Sequence, residues 1–350
     1  MLANLEHPED ALTSAQATVS IFRPLAQQQS NIFLPHLAMS LHHLACILKE
    51  LGREEALEAA REAVSIYRPL AQERPNAFLG DLATALDTLA GIYAMLGRRE
   101  DGLEPARELV QIHRQLSASL PEVFLPKLAI SLQKLALRLS GLGHREELLE
   151  PIGETCQVYR QLAERNPDAY LPRLATSLKS LAMRLTTVGR HEEALGPARE
   201  AIQIRRSLAL RHPEQHSMDL ATTLHDLAES LNSLGRRSEA LEMVEDAVRI
   251  RRELAELAPE RAGFALARSL ALKGQILAET SASAAFPCAE EAVRLLEPLF
   301  SQNPWIWAPT IRPIIGLYYR TGALADAPLD WELLDRLIPI IEEAARPRDA

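Results

Sequence analysis

The sequence has 350 residues, of which 47% are hydrophobic and 24% are charged, and this balance excludes an intrinsically disordered chain. The formal net charge is −9, and because an acidic chain repels phosphate backbones, we expect no nucleic-acid partner. Ala and Leu supply most of the apolar content, and both are strong helix formers. The composition therefore favours an all-α fold.

The N-terminal stretch MLANLEHPEDALTSA lacks the basic segment and the apolar core of a signal peptide. We also find no run of eighteen apolar residues that would predict a membrane span. The three cysteines lie far apart and form no CxxC pair, which is typical of buried free thiols in a reducing compartment. These features predict a cytoplasmic protein without a membrane partner.

The first predicted element, HPEDALTSAQATVSIFRPLA, is a single amphipathic helix. Leu12 precedes Leu57 by 45 residues, so this helix matches the second helix (helix B) of the units that follow. We interpret residues 1–30 as an N-terminal half repeat that consists of helix B alone. Its apolar residues Leu12, Val19 and Leu25 could promote self-association.

Residues 31–300 repeat with a period of 45 or 46 residues. Three markers recur in phase, and self-similarity at such a period indicates stacked supersecondary units. The markers are Leu37, Leu82, Leu128, Leu174, Leu220 and Leu266; Gly52, Gly97, Gly143, Gly189 and Gly235; and Leu57, Leu103, Leu149, Leu195 and Leu241. We predict an array of about six helix pairs over this range.

Each unit reads as two helices. From Leu174 to Gly189 apolar residues follow helical spacing, and the glycine suits a left-handed C-cap. Acidic residues then open helix B, where the helix dipole favours them. We expect the proline of the FLP motif to lie in the first turn of the first helix, helix A, where its missing N–H costs nothing. These prolines are Pro35, Pro126 and Pro172.

Residues 301–350 depart from the pattern, and we predict that they form atypical C-terminal capping helices. Ser281 replaces the glycine of the sixth unit, and the segment that follows contains Trp305, Trp307 and Trp331, which are all the tryptophans. The aromatic rings could fill a last groove of the array, or they could form an exposed docking patch.

The small residues Ala45, Ala90, Ala136, Ala182 and Ala228 lie seven residues before each glycine, and the turn motifs GREEAL, GRHEEAL and GRRSEAL follow. In these features the chain resembles a tetratricopeptide repeat (TPR) array of a long-period bacterial type, although leucine replaces the aromatic residue common early in the motif. The resemblance implies a right-handed α-solenoid of stacked antiparallel helix pairs. The period exceeds the usual 34 residues of the family, so we expect longer helices and a longer link between units.

A ladder of arginines runs through the helix B segments at the same period: Arg23, Arg68, Arg114, Arg160, Arg206 and Arg252. These side chains could make contacts between units or cap helix ends, where a cation suits the dipole. The alternative is a stripe that attracts an anionic partner.

No combination of residues predicts chemistry. His212, His216 and His225 with Glu229 could hold a metal ion, but this group occurs in one unit only and solvated polar side chains are the simpler interpretation. Cys156 falls within a helix B, where it reads as a small core residue. We predict neither enzyme activity nor a cofactor.

The resemblance to TPR proteins implies that helix A lines a concave groove that binds a peptide or protein. Groove positions counted back from each glycine vary, while their packing neighbours stay Leu or Ala. The candidate partner-binding residues are His42, Cys46, Lys49, Asp87, Gln133, Leu137, Lys179, Met183, His225, Glu229 and Asn232. The sequence therefore predicts a non-catalytic interaction scaffold. The alternative is a regulatory or sensor module for a small peptide signal or an associated effector domain, as in the signalling chains where similar arrays occur.

Overall fold

The computed structural model describes residues 8–344, and over this range the chain is helical, with no strand. Residues 1–7 of the predicted half repeat and 345–350 of the predicted cap lie outside the described residues. The helices are α1 (Pro8–Gln28), α2 (Ser30–Glu50), α3 (Ala56–Glu73), α4 (Pro75–Met95), α5 (Leu103–Ser119), α6 (Pro121–Gly141), α7 (Leu149–Arg165), α8 (Pro167–Thr187), α9 (His191–Arg211), α10 (Pro213–Ser233), α11 (Arg237–Leu257), α12 (Pro259–Ala278), α13 (Ala282–Gln302), α14 (Pro304–Ala325) and α15 (Trp331–Ala344).

The chain forms two compact units, Met1–Ser177 and Leu178–Ala350, and the boundary falls within α8. Inside each unit, helices joined by short connections pack on one another as antiparallel pairs. The predicted all-α fold of stacked helix pairs is confirmed. Residues 301–344, predicted as an atypical cap, hold α14 and α15, a further long helix followed by a shorter one. The predicted domain boundaries at residues 30 and 300 stay predictions.

The core of each unit consists of the leucines and alanines that keep the helical spacing. In unit 1, Ala38, Ala45, Leu86 and Ile92 are almost completely buried, and in unit 2 the same holds for Val293. Alanine at these positions lets helices approach closely, and leucine fills the space between them. The apolar side of each helix is thus removed from water by its neighbours.

The five predicted C-cap glycines all adopt left-handed backbone conformations, with φ between 69° and 81°. After α4, the Gly97 N–H donates to the Ala94 carbonyl at 3.2 Å and the Arg98 N–H donates to the Tyr93 carbonyl at 2.9 Å, so the last carbonyls of the helix are satisfied. In the sixth repeat the hydroxyl of Ser281 instead accepts a hydrogen bond from the Ala284 N–H at 3.3 Å, which caps the start of α13.

The expected place of the FLP prolines is wrong. Pro126 and Pro172 are the sixth residues of α6 and α8, well inside the helix, and Pro35 has the same place in α2. A different proline opens the helix, as Pro121 does in α6, because its fixed φ suits a helix and its missing N–H would be unpaired there anyway. The helix A segments therefore begin five residues earlier than they would if the FLP proline opened the helix.

The expectation of a long link between units is also wrong. One residue separates each helix B from the next helix A, as Arg74 does with φ −134° and ψ 71° or Leu120 with φ −133° and ψ 69°. Arg74 and Leu120 both stand before a proline, whose ring disfavours the helical conformation in the preceding residue. The long period is instead taken up by the helices themselves, since α2, α4, α6, α8 and α10 each have 21 residues.

By length and composition α2 could cross a membrane, since an 18-residue window has a mean hydropathy of 1.3. A core helix passes the same test, and Leu37, Leu41 and Leu48 of α2 are buried in the hydrophobic clusters of unit 1. The absence of a membrane partner stays a prediction.

Ladder arginines bind an acidic side chain of the next helix B along the chain, in five pairs that each lie within one unit. The pairs within unit 1 are Arg23–Glu62, Arg68–Glu108 and Arg114–Glu154, and those within unit 2 are Arg206–Asp246 and Arg252–Glu291. Several are bidentate, with two guanidinium nitrogens donating to one carboxylate. For these five, the contact between repeats is confirmed as the role of the ladder.

We expect Gly97→Ala to lower the free energy of unfolding by about 1–2 kcal/mol, because a residue with a Cβ is strained at left-handed φ. Gly80→Ala, inside the helix that Gly97 caps, is the matched control. An added Cβ meets nothing within 4 Å at either position, and in a helix interior alanine should stabilise by about 0.5–1 kcal/mol. Denaturant unfolding of both variants checks this; equal effects would contradict the capping role.

We expect a double-mutant cycle on Arg114→Gln and Glu154→Gln to give a coupling of about 0.5–1 kcal/mol, since this pair is better shielded from solvent than most surface pairs. The matched control is Arg98 with Asp101, a pair within one turn whose side chains are each 46% exposed. Its coupling should be smaller. Both couplings should fall at high salt, and a salt-independent value for Arg114 and Glu154 would rule out an electrostatic contact.

Candidate partner-binding groove

In unit 1 the helix A segments α2, α4 and α6 line a cavity of about 500 Å³. The structure brings together three of the predicted groove residues there, Lys49, Asp87 and Leu137, beside Gly91. Cationic side chains that the sequence interpretation missed complete the wall: Arg99, Lys134 and Arg138. Arg99 and Arg138 have cationic counterparts at the same distance from other glycines, Arg145 and Arg237 for the first and Arg184 for the second, so the repeat pattern did carry a signal for them. Lys134 has no such counterpart.

A salt bridge joins neighbouring helix A segments beside the cavity. Asp87 of α4 accepts hydrogen bonds from the Lys134 ammonium of α6 at 2.7 and 2.8 Å. In unit 2, Lys179 of α8 and Asp226 of α10 occupy the corresponding repeat positions, and their charged atoms lie 2.8 Å apart. The same bridge is therefore built twice with the charges exchanged.

An apolar side chain is exposed at one repeat position next to each bridge. Leu137 is 74% exposed and Met183, 46 residues later, is 47% exposed, although most leucines of these helices are buried. The corresponding residues in the neighbouring repeats are Gly91 and Glu229. This position is not used for packing, and its chemistry changes from repeat to repeat.

A second cavity, of about 410 Å³, lies in unit 2 and contains Lys179, Met183 and Glu229. Its remaining wall is rich in hydroxyl groups, including those of Thr186 and Ser230. The pKa of Glu229 is lowered, because its hydrogen bond with His225 outweighs the opposite effect of burial. This carboxylate is therefore charged. Unit 2 thus offers a polar groove with both charge signs.

The prediction that His225 faces a partner is wrong. Its side chain is 2% exposed, its Nδ1 lies 3.2 Å from the Ser269 hydroxyl, and its Nε2 lies 3.5 Å from Glu229. His225 therefore packs between α10 and α12. His212 and His216 contact each other at a ring distance of 6.4 Å, and across the described residues no three His, Cys, Asp or Glu side chains come together as a metal site.

The other predicted residues are partly used in contacts within their units. The Cys46 thiol lies 3.7 Å from His42 Nε2 and 3.9 Å from the Thr88 hydroxyl. Gln133 accepts a hydrogen bond from the Tyr159 hydroxyl at 3.4 Å. The amide oxygen of Asn232 is buried, with no hydrogen-bond partner among the described atoms.

The tryptophans divide between the two interpretations of the C-terminal segment. Trp307 packs on Phe264 with a centroid distance of 4.7 Å, as a core contact would. Trp331 is 58% exposed and touches Tyr319 edge-on at 6.4 Å. The segment therefore contains both a partly buried and an exposed tryptophan.

Sequence reasoning missed a polar position between helix B and the next helix A. His113 Nδ1 lies 3.1 Å from the Ser131 hydroxyl, and Arg251 donates to the Ala265 carbonyl at 2.8 Å and to the Ser269 hydroxyl. Burial lowers the pKa of Arg251 to about 10 and that of His113 to about 4. The signal that could have revealed this position is a charged or polar residue where the helical spacing assigns a packed side chain, followed 18 residues later by Ser or Thr.

Comparison with protein families identifies the repeats. The tetratricopeptide repeat model matches residues 82–117, 174–214 and 220–257, and each match begins at one of the marker leucines. These three stretches are therefore tetratricopeptide repeats, as predicted. Comparison with curated proteins gives no match.

Several solved structures are similar to this chain. BtubC (BKLC) from P. vanneervenii is 22% identical, with 71% of this chain and 92% of that chain covered and a TM-score of 0.42. A putative kinesin light chain from Podosopora anserina, with nearly identical TPR-like repeats, is 22% identical over 63% and 96%, with a TM-score of 0.44. YrrB, a TPR protein with an unusual peptide-binding site, is 15% identical over 68% and 97%, with a TM-score of 0.39. Nothing about function follows from similarities this low.

The free energy of unfolding should fall as the pH drops below about 6.5. Burial, with smaller effects of Lys127 and Lys134 against Asp87, lowers the pKa of His113 from 6.5 to about 4 in the folded state. Between these values the unfolded chain binds the extra proton, so folding is stabilised at higher pH.

His113→Gln should reduce the loss of stability between pH 7 and pH 4 by about 1–2 kcal/mol, since the ring is only partly buried. His43→Gln is the matched control, because the His43 side chain is exposed. Urea unfolding at several pH values measures both. Identical pH profiles for wild type and His113→Gln would show that this histidine does not couple to folding.

Proposed function

We propose that the protein is a non-catalytic interaction scaffold that binds a peptide or protein segment along its helix A surfaces. The observation that supports this most directly is the pair of exposed apolar side chains, Leu137 and Met183, at one repeat position. Each lies in a cavity beside a salt bridge that fixes the neighbouring helices. A partner would bury these side chains between fixed polar groups.

The energetics favour binding of this kind. Full burial of a Leu or Met side chain contributes about 1.5–3 kcal/mol, so the anchors, one in each unit, each supply a substantial part of a micromolar affinity. The polar residues around them set the orientation of the bound segment. Exposed apolar side chains within a groove, unlike those scattered over a surface, are typical of interaction sites.

The thiol chemistry argues against covalent catalysis in the groove. A nucleophilic cysteine reacts as the thiolate, which a lowered pKa and a protonated neighbouring histidine favour. Burial instead raises the pKa of Cys46, with only a smaller opposite effect of Thr88, and burial lowers the pKa of His42. The cytoplasmic location, a role as a sensor of a peptide signal, and self-association stay predictions.

Leu137→Ser combined with Met183→Ser should reduce capture of the native partners by about tenfold or more, because both apolar anchors lose their burial. The matched control combines Leu210→Ser with Leu257→Ser, which are 87% and 84% exposed at the ends of α9 and α11. Affinity capture from the native host with quantitative mass spectrometry compares the three proteins. If the groove variant and the control retain the same partners equally, the helix A surface is not the binding site.

A further inference from the structure

The cavity of unit 1 carries an excess of positive charge. Its wall contains four cationic side chains, Lys49, Arg99, Lys134 and Arg138, but a single carboxylate, that of Asp87. The carboxylate is already paired with Lys134. Since the whole chain has a formal charge of −9, this concentration of cations is a local feature of the groove and not a property of the surface in general.

Arg138 lies partly buried in this wall and forms no ion pair with a described carboxylate. Burial lowers the pKa of its guanidinium, and the more distant Asp87 opposes this effect only in part. Removing a cation from water without a partner costs free energy, and an anion that binds beside it recovers that cost.

Gly91 makes room for a second unpaired cation. A Cβ built at Gly91 would lie 3.1 Å from the Lys49 ammonium, so the absence of a side chain lets Lys49 of α2 reach across α4. The corresponding positions in later repeats are Leu137, Met183 and Glu229, which have longer side chains. This crossing cation is therefore particular to unit 1.

The cavity of unit 2 gives an internal comparison. It contains one cationic side chain, Lys179, and two carboxylates, those of Asp226 and Glu229. The positive charge therefore does not follow from the repeat architecture. It distinguishes one binding surface from another that is built on equivalent helices.

We propose that the cavity of unit 1 binds an acidic peptide segment, in which a carboxylate lies between Lys49 and Arg138 and a neighbouring apolar side chain packs on Leu137. This inference rests on the proposed function and names the partner class for one of its surfaces. A nucleic acid fits less well, because the cations are gathered around one cavity with an exposed leucine instead of following a stripe. An acidic segment with an apolar neighbour would pair with the unpaired cations and also cover the exposed Leu137.

Three fluorescein-labelled twelve-residue peptides test the charge preference with the full chain. Each has one central leucine, flanked by glutamates, by glutamines or by lysines, and fluorescence anisotropy measures the affinity. The glutamate peptide should bind at least about tenfold more tightly than the glutamine peptide, and more salt should weaken it. The lysine peptide should not bind. A labelled single-stranded oligonucleotide is the fourth probe.

Two protein variants locate the effect. Arg138→Gln should lower the affinity for the glutamate peptide by about tenfold, because a partly buried charge pair is lost. Asp87→Asn should raise this affinity about threefold, because it frees Lys134 to pair with the peptide. The matched control is Arg145→Gln, which removes an equal charge at an exposed position away from the cavity. Circular dichroism confirms that each variant is folded, and the peptide series remains decisive should Arg138→Gln not fold.

The outcomes separate this inference from the proposed function. Equal binding of glutamate and glutamine peptides, both lost in Leu137→Ser, would overturn the acidic preference and leave the groove intact. Tighter binding of the oligonucleotide than of any peptide would overturn it in favour of a nucleic acid. Glutamate-peptide binding that Arg138→Gln and Arg145→Gln weaken equally would show attraction to surface charge alone. Retention of every native partner by the Leu137 and Met183 double variant would instead refute the proposed function.

Discussion

The whole structure depends on one constraint: each helix pair has an apolar side that only a neighbouring pair can remove from water. Leucines and alanines at fixed repeat positions meet this constraint, and the salt bridges of the arginine ladder add contacts between successive helix B segments. Left-handed glycines and single residues before proline keep the connections short enough for the pairs to pack. Turns, caps and ion pairs therefore all serve the same stacking geometry.

Stacking also decides which positions are free to carry function. Positions that face the neighbouring pair keep Leu or Ala, whereas the position of Leu137 and Met183 remains exposed and varies in chemistry. The exchanged bridges Asp87–Lys134 and Lys179–Asp226 show the same principle, because the geometry is conserved between the units while the charges are reversed. Each unit can thus present a different surface on the same backbone.

The polar position between helix B and the next helix A shows that buried sites can vary too. His113 with Ser131 and Arg251 with Ser269 are equivalent in place, yet one side chain loses its proton readily and the other remains a cation. Their hydrogen bonds to hydroxyl and carbonyl groups make this burial tolerable. The repeats therefore differ in a buried polar side chain as well as in surface.

The sequence by itself determined the period, the helical fold and the capping glycines, because these depend on local conformation and on periodic burial. It placed the FLP prolines and the links wrongly, since the leucine pattern is silent about the first five residues of each helix A. Only the tertiary structure decided that His225 is buried and that Arg99, Lys134 and Arg138 surround Leu137. Those facts depend on which side chains of separate helices meet across the packing, and no spacing along one chain specifies that.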